Sequence, residues 1–328
     1  FDESGYARII AEKYQTNHTV FELGASDMLS MIPEILLAQD SPSGDGPNTY
    51  IVSQLTKEAG IKVVLSGLGG DELFVGYENF HRWKKLNDNP LLHAWAKIPQ
   101  GLRKWGISGL QNLTTNAKFW RILELLKVES YRIDEVYPLL RQVFTQPEYS
   151  KLLQKSNFPN RAKKMLGSQL PSLLDIPVYS QYSRAEILGY TGNVLLKDTD
   201  QMSMAHGLEV REPFFDLDLA SWVLRQPDTA KEGFGPKPML TRALGDRLPS
   251  EIVHRPKMGF SFPWRQWLFG PLKPMAMEFL QALQRRPEWN AKGLQTIMDR
   301  LHSNDPKLPW TRVWYLVALS AWMENNLD

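Results

Sequence analysis

The sequence predicts an α/β protein in which a parallel sheet with covering helices is followed by a long helical portion. Two observations support this class. The first 77 residues alternate helical patterns with short apolar runs, which is typical of strands joined by helices. From about Glu78 to the end, strand patterns become rare and helical patterns dominate.

The elements follow from the spacing of apolar residues along the chain. A short apolar run bounded by glycines predicts a buried strand at residues 61–65. The interleaved charges of Glu209, Arg211 and Asp216 suggest a buried ion-pair network. The other predicted elements are helices at residues 2–15, 27–38, 49–59 and 179–204 and a strand at residues 19–23.

A glycine-rich turn follows the strand at 61–65, and two carboxylates follow the turn. In an open α/β sheet, ligands bind beyond the carboxyl ends of the strands. Bare backbone amides there can hold anionic oxygens, and adjacent carboxylates can hold a hard cation such as Mg²⁺. The residues concerned are Ser66, Gly67, Gly69, Gly70, Asp71 and Glu72.

A turn with open amides followed by two carboxylates suits a nucleoside triphosphate with its metal ion. Taken alone, the same residues fit equally well a tight strand-to-helix turn with solvated acids. The turn matches neither the Walker pattern nor the dinucleotide-binding pattern.

Composition narrows the class of protein. The 328 residues include no cysteine, which excludes disulfides, thiolate zinc sites and a cysteine nucleophile within this sequence. A formal net charge of +2 gives no indication of a nucleic-acid partner, and no apolar run approaches the ~20 residues of a membrane span. We therefore expect a cytoplasmic protein without nucleic-acid or membrane partners.

Three stretches together resemble the successive signatures of the asparagine synthetase family, specifically its C-terminal ATP-dependent synthetase domain. They are SGLGGDELFVGY at 66–77, LLKDTDQMSMAHGLEVREPFFD at 195–216 and RPKMGFSFPWRQWL at 255–268. The opening residues 1–14 and the loop at 40–55 also follow the family's order, so the resemblance covers nearly the whole chain and is weakest over 85–180.

The resemblance implies an adenine-nucleotide α-hydrolase-like, doubly wound parallel sheet with a large helical elaboration. Residues 1–83 would form the remainder of the nucleotide-binding sheet, 84–180 a helical insertion, and 181–328 a mainly helical part of the same domain. It also implies that ATP activates a carboxylic acid, aspartate or a related acid, as an acyl-adenylate. Ammonia from an upstream glutaminase domain would then form the amide. A homodimer is the candidate assembly.

The resemblance assigns roles to individual residues. Ser66, Gly67, Gly69 and Gly70 would contact ATP and pyrophosphate, and Asp71 with Glu72 would bind Mg²⁺. Asp45 and Asn48 would line the substrate pocket. Lys257 would be catalytic, because an ammonium group there would stabilise the charge that develops between the α-phosphate and the leaving pyrophosphate. From its local sequence alone, Lys257 is more typical of a surface lysine.

Two departures from the family pattern leave alternatives open. The pyrophosphate-binding loop Ser-Gly-Gly-x-Asp-Ser is absent from these residues, and we expect it in a segment upstream of Phe1. Leu68 stands where asparagine synthetases carry a glutamate, and leucine can neither accept nor donate a proton. The alternatives are a catalytically silent relative used for binding, and a ligase for a natural-product or sugar acid.

Overall fold

The computed structural model describes residues 3–111, 117–155, 160–233, 235–255 and 262–327. The amino-terminal part contains the first strand and five helices. In chain order these are α1 (Ser4–Tyr14), α2 (Ala25–Leu37), α3 (Pro47–Glu58), β1 (Val63–Leu65), α4 (Gly70–Leu73) and α5 (Glu78–Asn87).

Helices make up the middle of the chain. They are α6 (Pro90–Ala96), α7 (Gln100–Gln111), α8 (Ala117–Lys127), α9 (Ile133–Arg141), α10 (Gln146–Leu152), α11 (Arg161–Ser168), α12 (Leu170–Leu174), α13 (Val178–Glu186) and α14 (Leu196–Met204). A π-helical segment, Ile187–Leu195, joins α13 to α14. The predicted helix at 179–204 is therefore helical throughout, with a wider turn in its centre.

The carboxyl-terminal part contains the second strand and eight helices. They are β2 (Glu209–Arg211), α15 (Leu217–Arg225), α16 (Asp228–Lys231), α17 (Pro238–Leu244), α18 (Ser250–Val253), α19 (Trp264–Leu268), α20 (Lys273–Arg285), α21 (Ala291–His302) and α22 (Trp310–Leu327). Short 3₁₀ turns lie at Pro213–Phe215 and Gly245–Arg247.

The two strands form a parallel pair, with Val63 opposite Glu209 and Leu65 opposite Arg211. A mostly helical chain with a small parallel sheet is consistent with an α/β fold, and the doubly wound arrangement stays a prediction. The prediction that β1 is buried is wrong, because Val63 is 44% exposed and Leu65 is 74% exposed. Val64, Leu65 and Val210 line a cavity beside α3, so the strand pair is open to this cavity rather than buried.

Two further sequence predictions are wrong. Residues 19–23 form no strand, and Val20 and Phe21 are about half exposed. Their β-branched and aromatic character favours a strand only where a neighbouring strand is present to pair with. Glu209 and Arg211 do pair, at 2.8 Å, but both side chains are more than half exposed, so this pair is not buried. Asp216 instead caps α15.

The core joins distant parts of the sequence. Helices α2 and α3 pack against α19 to α22, so residues 28–55 share a core with residues 262–323. A second core joins Phe80 and Trp83 of α5 to α9 and α13. A smaller third core places Leu73 and Phe74 against α15 and α17. The division at residues 84 and 180 stays a prediction.

Lys231 is an unusual member of this interior. It is 1% exposed, and its ammonium group donates a hydrogen bond to Ser180 Oγ. Burial lowers the pKa of Lys231 to about 8, and the nearby Asp228 carboxylate only partly opposes this. Below this value the folded protein carries a buried ammonium group, which is unfavourable.

We expect Lys231→Met to stabilise the protein by roughly 3 kcal/mol at neutral pH. The pKa of Lys231 is lower in the folded than in the unfolded chain, so between these two pKa values the unfolded chain binds more protons. Stability of the native protein should therefore rise as the pH increases above about 8. Urea unfolding at pH values below and above about 8 would measure the stability gain of Lys231→Met and the pH dependence of the native protein. The exposed Lys292→Met variant is the control. A less stable Lys231→Met variant would contradict the expectation.

Candidate active site

The glycine-rich turn begins where β1 ends. Ser66 N–H donates to Arg211 O at 2.8 Å, which extends the pairing with β2 by one bond. Ser66 Oγ then accepts from Leu68 N–H at 3.2 Å, and Gly70 N–H donates to Gly67 O at 3.2 Å. Gly69 has φ +96°, a left-handed conformation that glycine adopts without strain. These contacts fold the chain sharply from β1 into α4.

The glycines of this turn serve two different purposes. A Cβ at Gly69 would lie 2.9 Å from Phe214 Cβ, and a Cβ at Gly70 would lie 3.3 Å from the Phe214 ring. These two residues therefore allow close packing against the Pro213–Phe215 turn. A Cβ at Gly67 would meet nothing within 4 Å. The backbone at Gly67 is thus the part of the turn that a ligand can approach.

Glu72 holds the turn together. It is 1% exposed, and its carboxylate accepts from Gly69 N–H at 3.0 Å and from the Tyr77 hydroxyl at 2.6 Å. Burial, followed by the Glu72 charge, raises the pKa of the Tyr77 phenol, so this hydroxyl remains a donor. Both carboxylate oxygens thus accept a hydrogen bond within the turn, and the metal-ligand role of Glu72 stays a prediction.

Asp71 is partly exposed beside the same turn. Lys237 Nζ lies 3.3 Å from Asp71 Oδ2. Gly76 lies against the other oxygen, since a Cβ there would be 1.8 Å from Asp71 Oδ1. Within the described ranges, no cluster of three or more histidine or acidic side chains could hold a metal by itself. One carboxylate beside an open backbone fits Mg²⁺, which is commonly bound by one or two carboxylates together with substrate phosphates.

A cavity of about 430 Å³ brings together two predicted site residues, Ser66 and Asn48. Asn48 lies in the first turn of α3, and Ser66 lies at the end of β1. The cavity is within the usual range for small-molecule sites. Its other lining residues are Thr49, Val52, Ser53, Thr56, Val64, Leu65, Thr199, Leu208 and Val210.

Asp45 lies on the loop before α3 and has different neighbours. The Tyr190 hydroxyl donates a hydrogen bond to Asp45 Oδ2. Asp45 N–H donates to Ser43 Oγ at 3.2 Å, and Ser43 Oγ–H in turn donates to Asp198 at 2.6 Å. The loop is fixed to α22 by Trp314 Nε1–H, which donates to Gly44 O at 2.8 Å.

Arg141 links these two parts of the site. Its guanidinium carbon lies 4.2 Å from the centre of the Tyr190 ring and 5.4 Å from that of the Tyr77 ring. It forms an ion pair with the fully buried Glu186. Tyr190 binds Asp45 and Tyr77 binds Glu72, so a single cation contacts the aromatic partners of both acids.

Sequence reasoning missed Tyr77, Arg141, Glu186, Tyr190 and Lys237. Tyr77 closes the SGLGGDELFVGY stretch, and that position was a signal that could have been used. The sequence offers no local signal for the others, because tertiary packing alone brings them to the site.

Lys257 lies outside the described residues, so its catalytic role stays a prediction. The positions next to this segment are anchored on both sides. Arg255 forms an ion pair with Glu3, and the Phe262 ring stacks on Trp267 with the ring centres 5.3 Å apart.

In the part of the chain that the structure describes, no helix is long and apolar enough to cross a membrane.

Comparison with known proteins identifies relatives along the whole chain. A family model described as asparagine synthase matches residues 1–324. The chain is 25% identical to asparagine synthetase (glutamine-hydrolysing) 1 of Bacillus subtilis, over 100% of this chain and 51% of that protein. It is 27% identical to a Mycobacterium tuberculosis protein named putative asparagine synthetase (glutamine-hydrolysing), over 98% of this chain and 48% of that protein.

A further relative is amidase chyE of Penicillium rubens, which is 25% identical over 83% of this chain and 43% of its own length. The chain spans about half the length of the curated relatives that it matches. The match to the family model covers nearly every residue. The chain therefore belongs to the asparagine synthase family.

Proposed function

We propose that this chain is the synthetase part of an ATP-dependent, amide-forming ligase. A carboxylate oxygen of the acid substrate attacks the α-phosphorus of ATP, the new acyl–phosphate bond forms, and pyrophosphate leaves. Ammonia then attacks the acyl carbon, AMP departs with the bonding electron pair, and the nitrogen loses its surplus proton. The acid is aspartate or a related compound.

The observation that carries this proposal is the open backbone at Gly67, in the same turn that leads into α4 and its partly exposed Asp71. The amides there would hold phosphate oxygens, and Asp71 would be the protein ligand of a Mg²⁺ ion that neutralises phosphate charge. Asn48 and Ser66 place the 430 Å³ cavity directly next to this turn. The catalytic role predicted for Lys257, positive charge for the phosphates, is part of this proposal. Glutamine-derived ammonia would come from an upstream glutaminase domain, which is consistent with the greater length of the relatives.

Leu68 favours a second candidate, a relative that binds ATP without turning it over. Its side chain offers no proton acceptor at a position where the family pattern has an acid. A third candidate, ligation to a natural-product or sugar acid, rests on the same residue. These three candidate functions differ in whether the protein exchanges pyrophosphate with ATP and in which acid supports that exchange.

The test is ATP–pyrophosphate exchange by the intact protein, with aspartate and a panel of other acids. We expect exchange with at least one acid and a loss of about 100-fold or more in Asp71→Asn, because the metal loses its protein ligand. The exposed Asp218→Asn is the matched control and should exchange normally. ATP binding without exchange for every acid would instead support the silent relative.

A further inference from the structure

Helices α7 and α8 carry large apolar side chains that the described residues leave uncovered. On α7, Leu102 is 63% exposed and Trp105 is 80% exposed. On α8, Phe119 is 38% exposed and Ile122 is 53% exposed. The two residues of each helix are three positions apart and therefore lie on one face of that helix. We call these four residues the α7–α8 surface.

The opposite faces of the two helices are buried, which directs the α7–α8 surface outward. Buried Arg103 of α7 donates through Nη1–H to Val128 O at 2.7 Å, directly after the end of α8. Trp105 follows Arg103 by two positions, so it lies about 200° around the helix from it. Ile122 lies equally far from buried Glu124. Because the start of α7 contacts the end of α8, the helices pack antiparallel and their exposed faces adjoin. Apolar groups grouped in this way mark an interaction site.

The charges of this part of the chain are strongly basic. Residues 90–127 contain six lysines and arginines and one acidic residue, Glu124, whereas the whole chain has a net charge of only +2. The Glu124 carboxylate is buried and accepts hydrogen bonds from Gln142 Nε2–H and Gln146 N–H. The excess positive charge is therefore concentrated beside the α7–α8 surface.

Two of these cations come from different helices and lie near each other. Lys104 of α7 and Lys127 of α8 line the same cavity, of about 310 Å³. Burial, and to a smaller extent the charge of Lys104, lower the pKa of Lys127, and the Glu124 charge opposes them. Neighbouring ammonium groups repel each other, and an anionic partner would relieve that repulsion. Exposed Arg121 of α8 adds a further cation.

An anionic bilayer satisfies both kinds of group. Indole and aliphatic side chains enter the boundary between headgroups and acyl chains, while lysines meet the anionic headgroups beside them. A nucleic acid would pair with the lysines through its phosphates but would leave Leu102 and Ile122 without an apolar partner. The combination of exposed apolar groups and local positive charge therefore favours a lipid surface.

We propose that the α7–α8 surface binds the anionic surface of a lipid bilayer. Trp105, Leu102 and Ile122 enter the interface, and Lys104 and Lys127 contact the headgroups. The two helices lie on the bilayer and do not cross it. This inference goes beyond the proposed function and does not depend on it. It departs from the expectation of no membrane partner, because the net charge of the whole chain conceals the local excess.

The experiment is sedimentation of the protein with two kinds of lipid vesicle. One kind is phosphatidylcholine alone, and the other is phosphatidylcholine with an equal amount of phosphatidylglycerol. We expect binding to the anionic vesicles to be about tenfold or more tighter, because each lysine near the surface gains attraction to the headgroups. Added salt should weaken this binding. Equal binding to both kinds of vesicle, or binding to neither, would overturn the proposal.

Two double variants locate the binding. Leu102→Ser/Trp105→Ser removes apolar contact and Lys104→Gln/Lys127→Gln removes charge, and each should weaken binding to anionic vesicles by about tenfold. The controls are Leu217→Ser on α15, where Leu217 is 81% exposed, and the exposed Lys292→Gln on α21. Circular dichroism checks that every variant is folded. Unchanged binding in the folded double variants would contradict the proposal.

Size-exclusion chromatography without vesicles tests a different occupant of the same surface. A dimer that Leu102→Ser/Trp105→Ser dissociates would show that a second copy of the chain covers the α7–α8 surface, and the bilayer proposal would then be wrong. Pyrophosphate exchange in the absence of lipid should be the same in both double variants as in the parent. Failure of vesicle binding is therefore distinguishable from failure of the proposed ligase function.

Discussion

Replacing Gly76 with alanine is expected to disrupt the Asp71 site and to destabilise the protein by about 3 kcal/mol or more. The new methyl group would lie 1.8 Å from Asp71 Oδ1 and 2.6 Å from Asp71 Cα. The second contact involves the backbone, so a change of side-chain rotamer cannot relieve it. The preceding residue, Val75, already has φ +63°, an unfavourable conformation for a β-branched side chain, which leaves this turn little freedom to adjust.

Urea unfolding measures the stability loss, and pyrophosphate exchange by the intact protein measures the site. Gly106→Ala is the matched control, because a Cβ at Gly106 in α7 meets nothing within 4 Å. That variant should be as stable as the parent or more stable by about 1 kcal/mol, since alanine favours helices. Normal stability and exchange in Gly76→Ala would show that Asp71 is not held as described.

Arg141→Met is expected to destabilise the protein by about 3–5 kcal/mol. The change leaves Glu186, which has no exposed side-chain surface, without a cation and with the Tyr137 hydroxyl at 3.1 Å as a neutral donor. The cost comes from burying that charge rather than from the attraction lost. The double variant Arg141→Met/Glu186→Met should therefore recover most of the stability, and a double-mutant cycle would measure the coupling.

The stability of Arg141→Met should also depend on pH. Burial raises the pKa of Glu186, and Arg141 is the main group that lowers it again. Without Arg141, the folded protein would hold a proton on Glu186 that the unfolded chain releases. Its stability should then fall as the pH rises from the unfolded pKa of a glutamate towards the raised folded pKa. A loss of equal size at acidic and neutral pH would contradict this account.

The sequence predicted the local elements well where the apolar spacing was helical. Helices α1, α2 and α3 lie within two residues of their predicted bounds, because an amphipathic stripe is sufficient to define them. The strand predicted at 19–23 failed because β-propensity needs a neighbour that a sequence window does not contain. The burial of β1 failed for a related reason, since exposure depends on which faces are covered.

The candidate site, like the fold, was predicted only in part from the sequence. The turn from Ser66 to Glu72 could be located from its glycines, but the distinction between Gly67 and its neighbours needed the positions of Phe214 and Phe215. The sequence predicted Glu72 as a metal ligand, and nothing in it shows that Gly69 and Tyr77 donate hydrogen bonds to its two oxygens. Arg141 and Tyr190 meet only through folding, and no motif joins them.

The pairing of β1 with β2 has a consequence for the order of folding. Val63 and Glu209 are separated by the whole helical middle of the chain, and closing so long a loop costs on the order of several kcal/mol of chain entropy. Local helices gain their contacts without that cost and form early. The glycine-rich turn at the end of β1 should consequently be among the last parts of the molecule to acquire its native shape.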